Sequence, residues 1–301
     1  MNIGVIGGSG FIGSHVVDKL VDAGHEVHVF DIMKPVRDDV RHIYIDITDL
    51  GRTCVALSGG YDVVYLLAAM ADVNDVYRSP VEAGEVNIMA VANVLEAARR
   101  SSIGRVILAS TVWVYEMAEG EVVDEDSPVV PLKTKHVYTA SKLGGELYCH
   151  AYQKLYGQNF TILRYGIPYG PRARGDTVIA LFVKKALKGE PLTIMGDGSQ
   201  YRNFIYVEDL AEGNVAALKE VAVNQTYNLD GCRSVTIKET AETVRKLIGE
   251  VAIEYQEARA GDYSGATVSI EKAKKELAWE PKVELEEGIR RYIEWYKQNV
   301  R

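Results

Sequence analysis

Gly7, Gly10 and Gly13 stand between two segments of different period, and that arrangement limits what the start of this chain can fold into. Before them, Asn2-Ile3-Gly4-Val5-Ile6 is a short apolar run, which predicts a buried parallel strand. After them, apolar residues recur at Phe11, Ile12, Val16, Val17, Leu20 and Val21, the spacing of a helix that Gly24 ends. Glu26-Val27-His28-Val29-Phe30 predicts the next strand, with Asp31 at its end. A glycine turn between strand and helix lets backbone N–H groups approach a pyrophosphate at the helix N-terminus. A carboxylate about 20 residues on can accept a hydrogen bond from a ribose 2′-hydroxyl. Strand, turn, helix, strand and acid in this order predict a dinucleotide site. Asp31 would repel a 2′-phosphate, which favours NAD, although Lys34 and Arg37 stand near enough to keep NADP open.

Tyr138 and Lys142 lie four apart in a segment that reads as helix, so their side chains share one face. An ammonium beside a phenol favours phenolate and lowers a pKa that is otherwise about 10. A tyrosine so tuned can take a proton from an alcohol while a nicotinamide takes the hydride.

Strands and helices alternate through the first half, the order of a doubly wound sheet. Further strands are expected over 61–69, 105–110 and 160–164. One helix is expected over 81–100, with Val86, Met89, Ala90, Val94, Leu95 and Ala98 on a common face. The helix of Tyr138 and Lys142 should run to about Tyr156, after a loop rich in Glu, Asp and Pro over 116–135. Beyond residue 165 the pattern is more broken: loop over 165–172, helices over 177–189, 236–249 and 284–299, and a turn at 196–199. Thr236 with Glu239 predicts a capping box. The fold class is therefore α/β, a Rossmann-type parallel sheet with a smaller C-terminal α/β lobe.

Composition narrows the function classes. A net charge of −8 argues against general nucleic-acid binding, and no apolar run approaches membrane-spanning length. The start of the chain enters the first strand directly, leaving no room for a signal peptide. Cys54, Cys149 and Cys232 are odd in number and widely spaced, which suits reduced thiols in a cytoplasmic protein. The six histidines form no metal-ligand spacing, so no metal site is expected and all six read as structural or surface residues.

Several motifs together resemble the extended short-chain dehydrogenase/reductases of the NAD-dependent epimerase/dehydratase family, over essentially the whole length. They are the glycine run Gly7–Gly13, Asp31, Asp46-Ile47, Leu67-Ala68-Ala69, Ser110-Thr111 before Val114-Tyr115, Tyr138 with Lys142, and Leu163-Arg164-Tyr165. Later come Gly196–Leu210, with Arg202 inside it, and Arg259-Ala260-Gly261-Asp262.

The resemblance implies roles residue by residue. Gly7, Gly10, Phe11 and Ile12 would lie against the pyrophosphate and Asp31 on the adenosine ribose. Asp46 and Ile47 would flank the adenine, although Asp46 could equally cap the turn into Thr48. Leu67, Ala68 and Ala69 would line the cofactor by backbone, with Asn87 and Ser110 nearby and Tyr165 at the nicotinamide end. Helix-face packing explains Asn87 about as well. Thr111, Tyr138 and Lys142 would be catalytic. Arg202 and Arg259 would hold the diphosphate of a nucleotide sugar, and Asp262 would contact its nucleoside. Residues 1–165 would bind NAD, with 205–232 packing back onto them, and 166–301 would hold the substrate.

The implied activity is epimerisation at C4 of a UDP-sugar, UDP-glucose and UDP-galactose, through a 4-keto intermediate. UDP-N-acetylglucosamine and UDP-glucuronate are alternative substrates, a nucleotide-sugar reductase is an alternative reaction, and a silent NAD-sensing protein is the alternative of another class. Dehydratases and decarboxylases of the family place an acid after the catalytic Thr/Ser, whereas Val112 and Trp113 follow Thr111 here. Ile167 stands where an asparagine is common, Leu66 replaces a histidine, and Ser269 replaces an aspartate. The helices around 81–100 and 137–156 would pair in a homodimer.

Overall fold

The computed structural model describes residues 1–115, 122–257 and 267–300. Strands and helices are numbered along the chain. Seven strands form one parallel sheet: β1 (Asn2–Ile6), β2 (Glu26–Asp31), β3 (Arg41–Tyr44), β4 (Val63–Leu66), β5 (Arg105–Thr111), β7 (Phe160–Tyr165) and β12 (Gln225–Leu229). Their order is β12-β7-β5-β4-β1-β2-β3. From β1 the chain first adds β2 and β3 on one side, then crosses to add β4 and β5 on the other. That reversal opens a crevice beyond the carboxyl ends of β1 and β4, where ligands of such sheets bind.

Alternation along each strand fills two cores. Ile3, Val5 and Tyr65 pack with Val16 and Leu20 of α1 (Phe11–Asp22) and with Leu210 of α8 (Val207–Ala216). Ile6, Val64 and Leu66 face the other way, onto Val94 and Leu95 of α5 (Ala90–Arg100) and Leu57 of α2 (Leu50–Leu57). Both faces are covered, so the strands are apolar without a polar side. Cys149 of α6 (Val137–Tyr156) packs in the same second core.

The expected helix over 81–100 forms as one uninterrupted helical run, with a π turn inside it. It comprises α4 (Pro80–Gly84), a π turn over Glu85–Met89, and α5, with α3 (Val73–Arg78) before it. The π turn inserts one residue and rotates the face. Met89, expected inside, is therefore exposed, and Asn87 is buried instead. The capping box is realised by half: Glu239 N donates to Thr236 Oγ1 at 3.0 Å, while the Glu239 carboxylate pairs with Arg233.

The second half is assembled from short pairs. β8 (Ile167–Tyr169), inside the stretch expected as loop, pairs in parallel with β11 (Phe204–Tyr206). β9 (Leu192–Met195) pairs with β14 (Ile253–Gln256), and β10 (Tyr201–Arg202) with β13 (Val235–Thr236). β6 (Val122–Val123) pairs with β15 (Thr267–Val268). Around the first of these pairs α7 (Val178–Leu187), α9 (Ile237–Ile248) and α10 (Leu285–Asn299) close a third core with Phe182, Val244 and Ile289. No helix of the described residues is long and apolar enough to cross a membrane.

Candidate active site

Gly7 has φ +83°, and a Cβ there would stand 2.4 Å from Ala68 N. A Cβ on Gly13 would meet Gly7 O at 2.0 Å. These two glycines let the turn, α1 and the end of β4 approach one another closely. Gly10 is different: a Cβ there would meet only Gly7 O, at 3.3 Å. The α1 N-terminus carries no side-chain cap and no acid in its first turn, so its N–H groups and the positive end of its dipole remain for an anion.

Asp31 closes the other side of the turn. Its Oδ2 accepts from Ser9 N at 2.9 Å and its Oδ1 from Met33 N at 3.0 Å. A carboxylate has about four acceptor positions, so two remain for a diol. Arg37 is engaged with Asp39 and Asp18, which takes it away from a 2′-phosphate. Asp46 caps its turn, accepting from Thr48 N and Oγ1 at 3.0 and 2.7 Å, and those bonds hold its carboxyl below the usual range. Ile47 is buried, and its carbonyl accepts from Asn93 Nδ2 at 3.0 Å.

Leu67, Ala68 and Ala69 leave the sheet just past β4 and are partly exposed. Asn87 holds this segment by its neighbour: Oδ1 accepts from Met70 N and Nδ2 donates to Met70 O, each at 2.9 Å, and Nδ2 also donates to Ser141 Oγ. The amide of Asn87 is thus spent on the loop and on α6.

At the carboxyl end of β5, Thr111 and Ser110 are both buried. The Thr111 hydroxyl acts on Tyr138 and lowers its phenol, and Thr111 Oγ1 accepts from Trp113 N at 3.2 Å. Trp113 meets the Tyr138 ring edge-on, with centroids 6.1 Å apart. Ser110 turns elsewhere, donating to Glu146 Oε1 at 2.5 Å, so its hydroxyl is committed to that carboxylate. The Tyr165 ring lies in the core, and its hydroxyl donates to Asn214 Oδ1 at 2.6 Å.

The tuning of Tyr138 by Lys142 expected from sequence is not what the protein's own groups produce. Burial pushes the Tyr138 phenol up to about 12, against a smaller lowering by Thr111. Lys142 is itself buried, and burial brings its ammonium down to about 8. Glu146 and Cys149, on the same helix, act in the opposite sense and raise it. Desolvation outweighs the Thr111 hydroxyl at Tyr138 and the neighbouring charge at Lys142.

Glu146 and Arg164 were not singled out as functional. Arg164 Nε and NH2 bind Glu146 Oε1 and Oε2 at 3.0 and 2.7 Å, with both side chains buried. Arg164 NH1 donates to Tyr115 OH at 2.6 Å, and Tyr115 donates to Asn228 Oδ1 of β12 at 3.0 Å. The available signal was the position of Glu146, four residues past Lys142 on the same helical face.

In the second lobe Arg202 and Ile167 line one cavity of about 520 Å³, together with Lys185, Thr193 and Gln256. Arg259 and Asp262 lie outside the described residues. No cluster of metal-ligating side chains occurs among the described residues.

A parallel sheet with a glycine cradle at its switch point, beside a Thr–Tyr–Lys set, defines a dinucleotide-dependent enzyme of the Rossmann class. The chain belongs to the NAD dependent epimerase/dehydratase family, which matches residues 3–230. A putative UDP-glucose 4-epimerase of Methanocaldococcus jannaschii is 34% identical over 308 residues, 99% of each chain. A UDP-glucose 4-epimerase of Thermotoga maritima, solved with UDP-glucose, superposes with TM-score 0.92 at 29% identity and 100% coverage of both chains. A UDP-glucuronic acid 4-epimerase of Bacillus cereus, solved with UDP-glucuronic acid and NAD, gives 0.88 at 31% identity over 99% of each chain. The cofactor is NAD, and the cradle suits it: the protein alone scarcely requires glycine at Gly10, whereas a pyrophosphate approaching the uncapped helix does.

Proposed function

We propose that this protein interconverts the C4 epimers of a UDP-sugar, UDP-glucose and UDP-galactose in the first instance. One observation carries the reading. The Thr111 hydroxyl acts on Tyr138 and lowers its phenol, buried Lys142 follows one turn along the same helix, and the residues after Thr111 are Val112 and Trp113. A proton can be taken from and returned to one hydroxyl, but neither following residue has a group to protonate a leaving group, as dehydration or decarboxylation would need.

When bound, NAD would supply the hydride acceptor and donor that such an inversion at C4 needs. Tyr138 takes the proton of the C4 hydroxyl and later returns it. The Thr111 hydroxyl orients that oxygen, and Lys142 places positive charge beside the phenolate. Ser9, Asp31 and the α1 N-terminus would hold the dinucleotide, with Gly7, Gly10, Phe11, Ile12, Asp46, Ile47, Leu67, Ala68 and Ala69 along its length. Residues 1–165 carry that site and 166–301 the substrate site. Arg202, on the wall of the second-lobe cavity, grips the diphosphate while the 4-keto sugar turns. Ile167 on the same wall offers no hydrogen bond and leaves sugar preference to shape.

The protein also acts as a homodimer. Val81, Met89, Leu147 and Leu155 are 54–76% exposed on α4, the π turn and α6, which touch one another and leave an apolar surface for a second copy. Light scattering tests that point.

The functional test is a product screen with UDP-glucose, UDP-N-acetylglucosamine and UDP-glucuronate. UDP-galactose from the first, without net absorbance change at 340 nm (a property of the cofactor), is the expected result. Epimerisation of only one of the other two would move the substrate. Stoichiometric NADH release would replace epimerase by reductase, and NAD binding without any turnover would leave a sensor.

A further inference from the structure

Tyr138, Lys142 and Glu146 occupy one face of α6, each four residues after the last. Glu146 is the buried end of that row. Its Oε1 accepts from Ser110 Oγ at 2.5 Å and from Arg164 Nε at 3.0 Å, and its Oε2 from Arg164 NH2 at 2.7 Å. Ser110 precedes Thr111 on β5, and Arg164 is the direct neighbour of Ser110 on β7. One carboxylate therefore ties α6 to the two strands beneath it, one residue from the hydroxyl that meets Tyr138. A buried ion pair is weak evidence of stability, since well-packed apolar side chains do as well. What apolar residues could not supply is a directed bond to Ser110 and a negative charge one helical turn from Lys142.

We propose that Glu146 is a positioning residue for the Tyr138–Lys142 pair, fixing the register of α6 against β5 and β7 and keeping a negative charge beside Lys142. This assignment rests on the epimerase reading for its kinetic arm alone.

The charge argument has few competitors. On α6 itself, Glu146 and then Cys149 raise the Lys142 ammonium against the lowering by burial. From β7, Arg164 is neutralised by Glu146, and Tyr165 is bonded to Asn214. From β5 and the turn after it, Arg105 is bonded to the carbonyls of residues 218 and 219, and Tyr115 receives Arg164. On the helices packed against α6, Arg99 and Arg100 pair with Glu96, and Arg78 with Asp75. Glu82 and Glu85, on α4 and the π turn, are exposed to solvent.

The experiment uses the NAD-loaded protein with carbon-13 in its lysine side chains, the Lys142 signal being assigned by its loss in Lys142→Met. In Glu146→Gln the Lys142 midpoint should fall by at least about one pH unit, because the raising charge is gone. Turnover of the accepted UDP-sugar should fall at least about tenfold with KM changed less than about threefold, the mark of a misplaced catalytic pair. Glu146→Gln leaves Arg164 buried without a counter-charge, so Glu146→Gln with Arg164→Met covers a failure to fold. The double variant should show the same downward midpoint, since Arg164 is not among the groups that set Lys142. An unchanged Lys142 midpoint, or turnover within twofold of the parent, overturns the proposal. A parent protein that makes no epimer overturns the functional reading instead, and the lysine titration then judges Glu146 by itself.

Discussion

The two halves of the molecule reach order by different routes. The first contributes six of the seven strands to one parallel sheet, and its buried carboxylate on α6 is matched by a cation: Glu146 lies against Arg164 and Ser110. The second is built from two-stranded pieces whose members come from distant parts of the chain. One of its buried acids is treated differently. Asp230, just past β12, is buried, its Oδ1 accepts from Gly231 N at 2.8 Å, and Gly231 and Asn203, with no cation among the described residues, are what favour its ionised form. Burial pushes it up to about 7. The sheet thus keeps a charge by pairing it, whereas the junction with the second lobe keeps a carboxyl by allowing it a proton. Chemistry needs fixed charge near Tyr138; a junction needs only a hydrogen-bonded filler.

Four changes would break or sharpen that contrast. Tyr138→Phe should cost about 10²- to 10⁴-fold in turnover, the usual span of a general acid–base group, with NAD still bound. Rates of product formation beside the NAD absorbance of the purified protein would show it, and near-normal epimerisation would remove Tyr138 from the mechanism.

Asp230→Asn addresses the junction. The carboxyl is raised from 3.8 to about 7 in the folded protein, so between those values the folded state holds a proton that the unfolded chain has released. Its contribution to stability is lost as pH rises from about 4 to about 7 and is level above that. At about 1.36 kcal/mol per tenfold in proton affinity, the whole effect is up to about 4 kcal/mol. Melting temperatures at pH 5 and pH 8 should therefore diverge in favour of Asp230→Asn at the higher pH. Parallel curves for the two proteins would contradict it.

Gly7→Ala should weaken NAD by at least about tenfold, because a positive φ and a Cβ 2.4 Å from Ala68 N force the cradle to shift. Titration calorimetry with NAD measures this; an unaltered affinity would mean the turn yields at no cost. The smallest effect is expected for Arg174→Ala. Its pair with Asp72, at 2.9 Å, links the loop after β8 to the start of α3, but Arg174 is half exposed. A loss below about 1 kcal/mol is expected, and less at high salt. A drop of several degrees in Tm would show instead that this link holds the lobes together.

Legibility followed periodicity. β1, α1, β2, α6 and α10 were readable because burial on one or both faces leaves a repeating apolar pattern. β3 was not, since Arg41–Tyr44 is an edge strand with no fully buried residue. α2 has only Thr53 and Leu57 buried, too few to mark a face. β8 depends on pairing with β11, more than 30 residues away, which no local pattern records. The π turn shifts a face by one residue, and the expected burial of Met89 was lost with it. Within the site, Gly7, Asp31 and Tyr138 could be chosen by spacing and Thr111 through the family resemblance, whereas the commitments of Ser110 to Glu146 and of Tyr165 to Asn214 could not.

By itself the amino-acid order determined the dinucleotide cradle, the alternation of strand and helix, and the face shared by Tyr138 and Lys142. Those are properties of the local backbone, fixed by which residues tolerate a turn or recur at a helical step. Only the packed molecule decided the protonation of Tyr138, Lys142 and Asp230, and the partners of Glu146. Such quantities depend on how much water is excluded and which distant groups fill its place, and both are set when strands far apart in the chain meet.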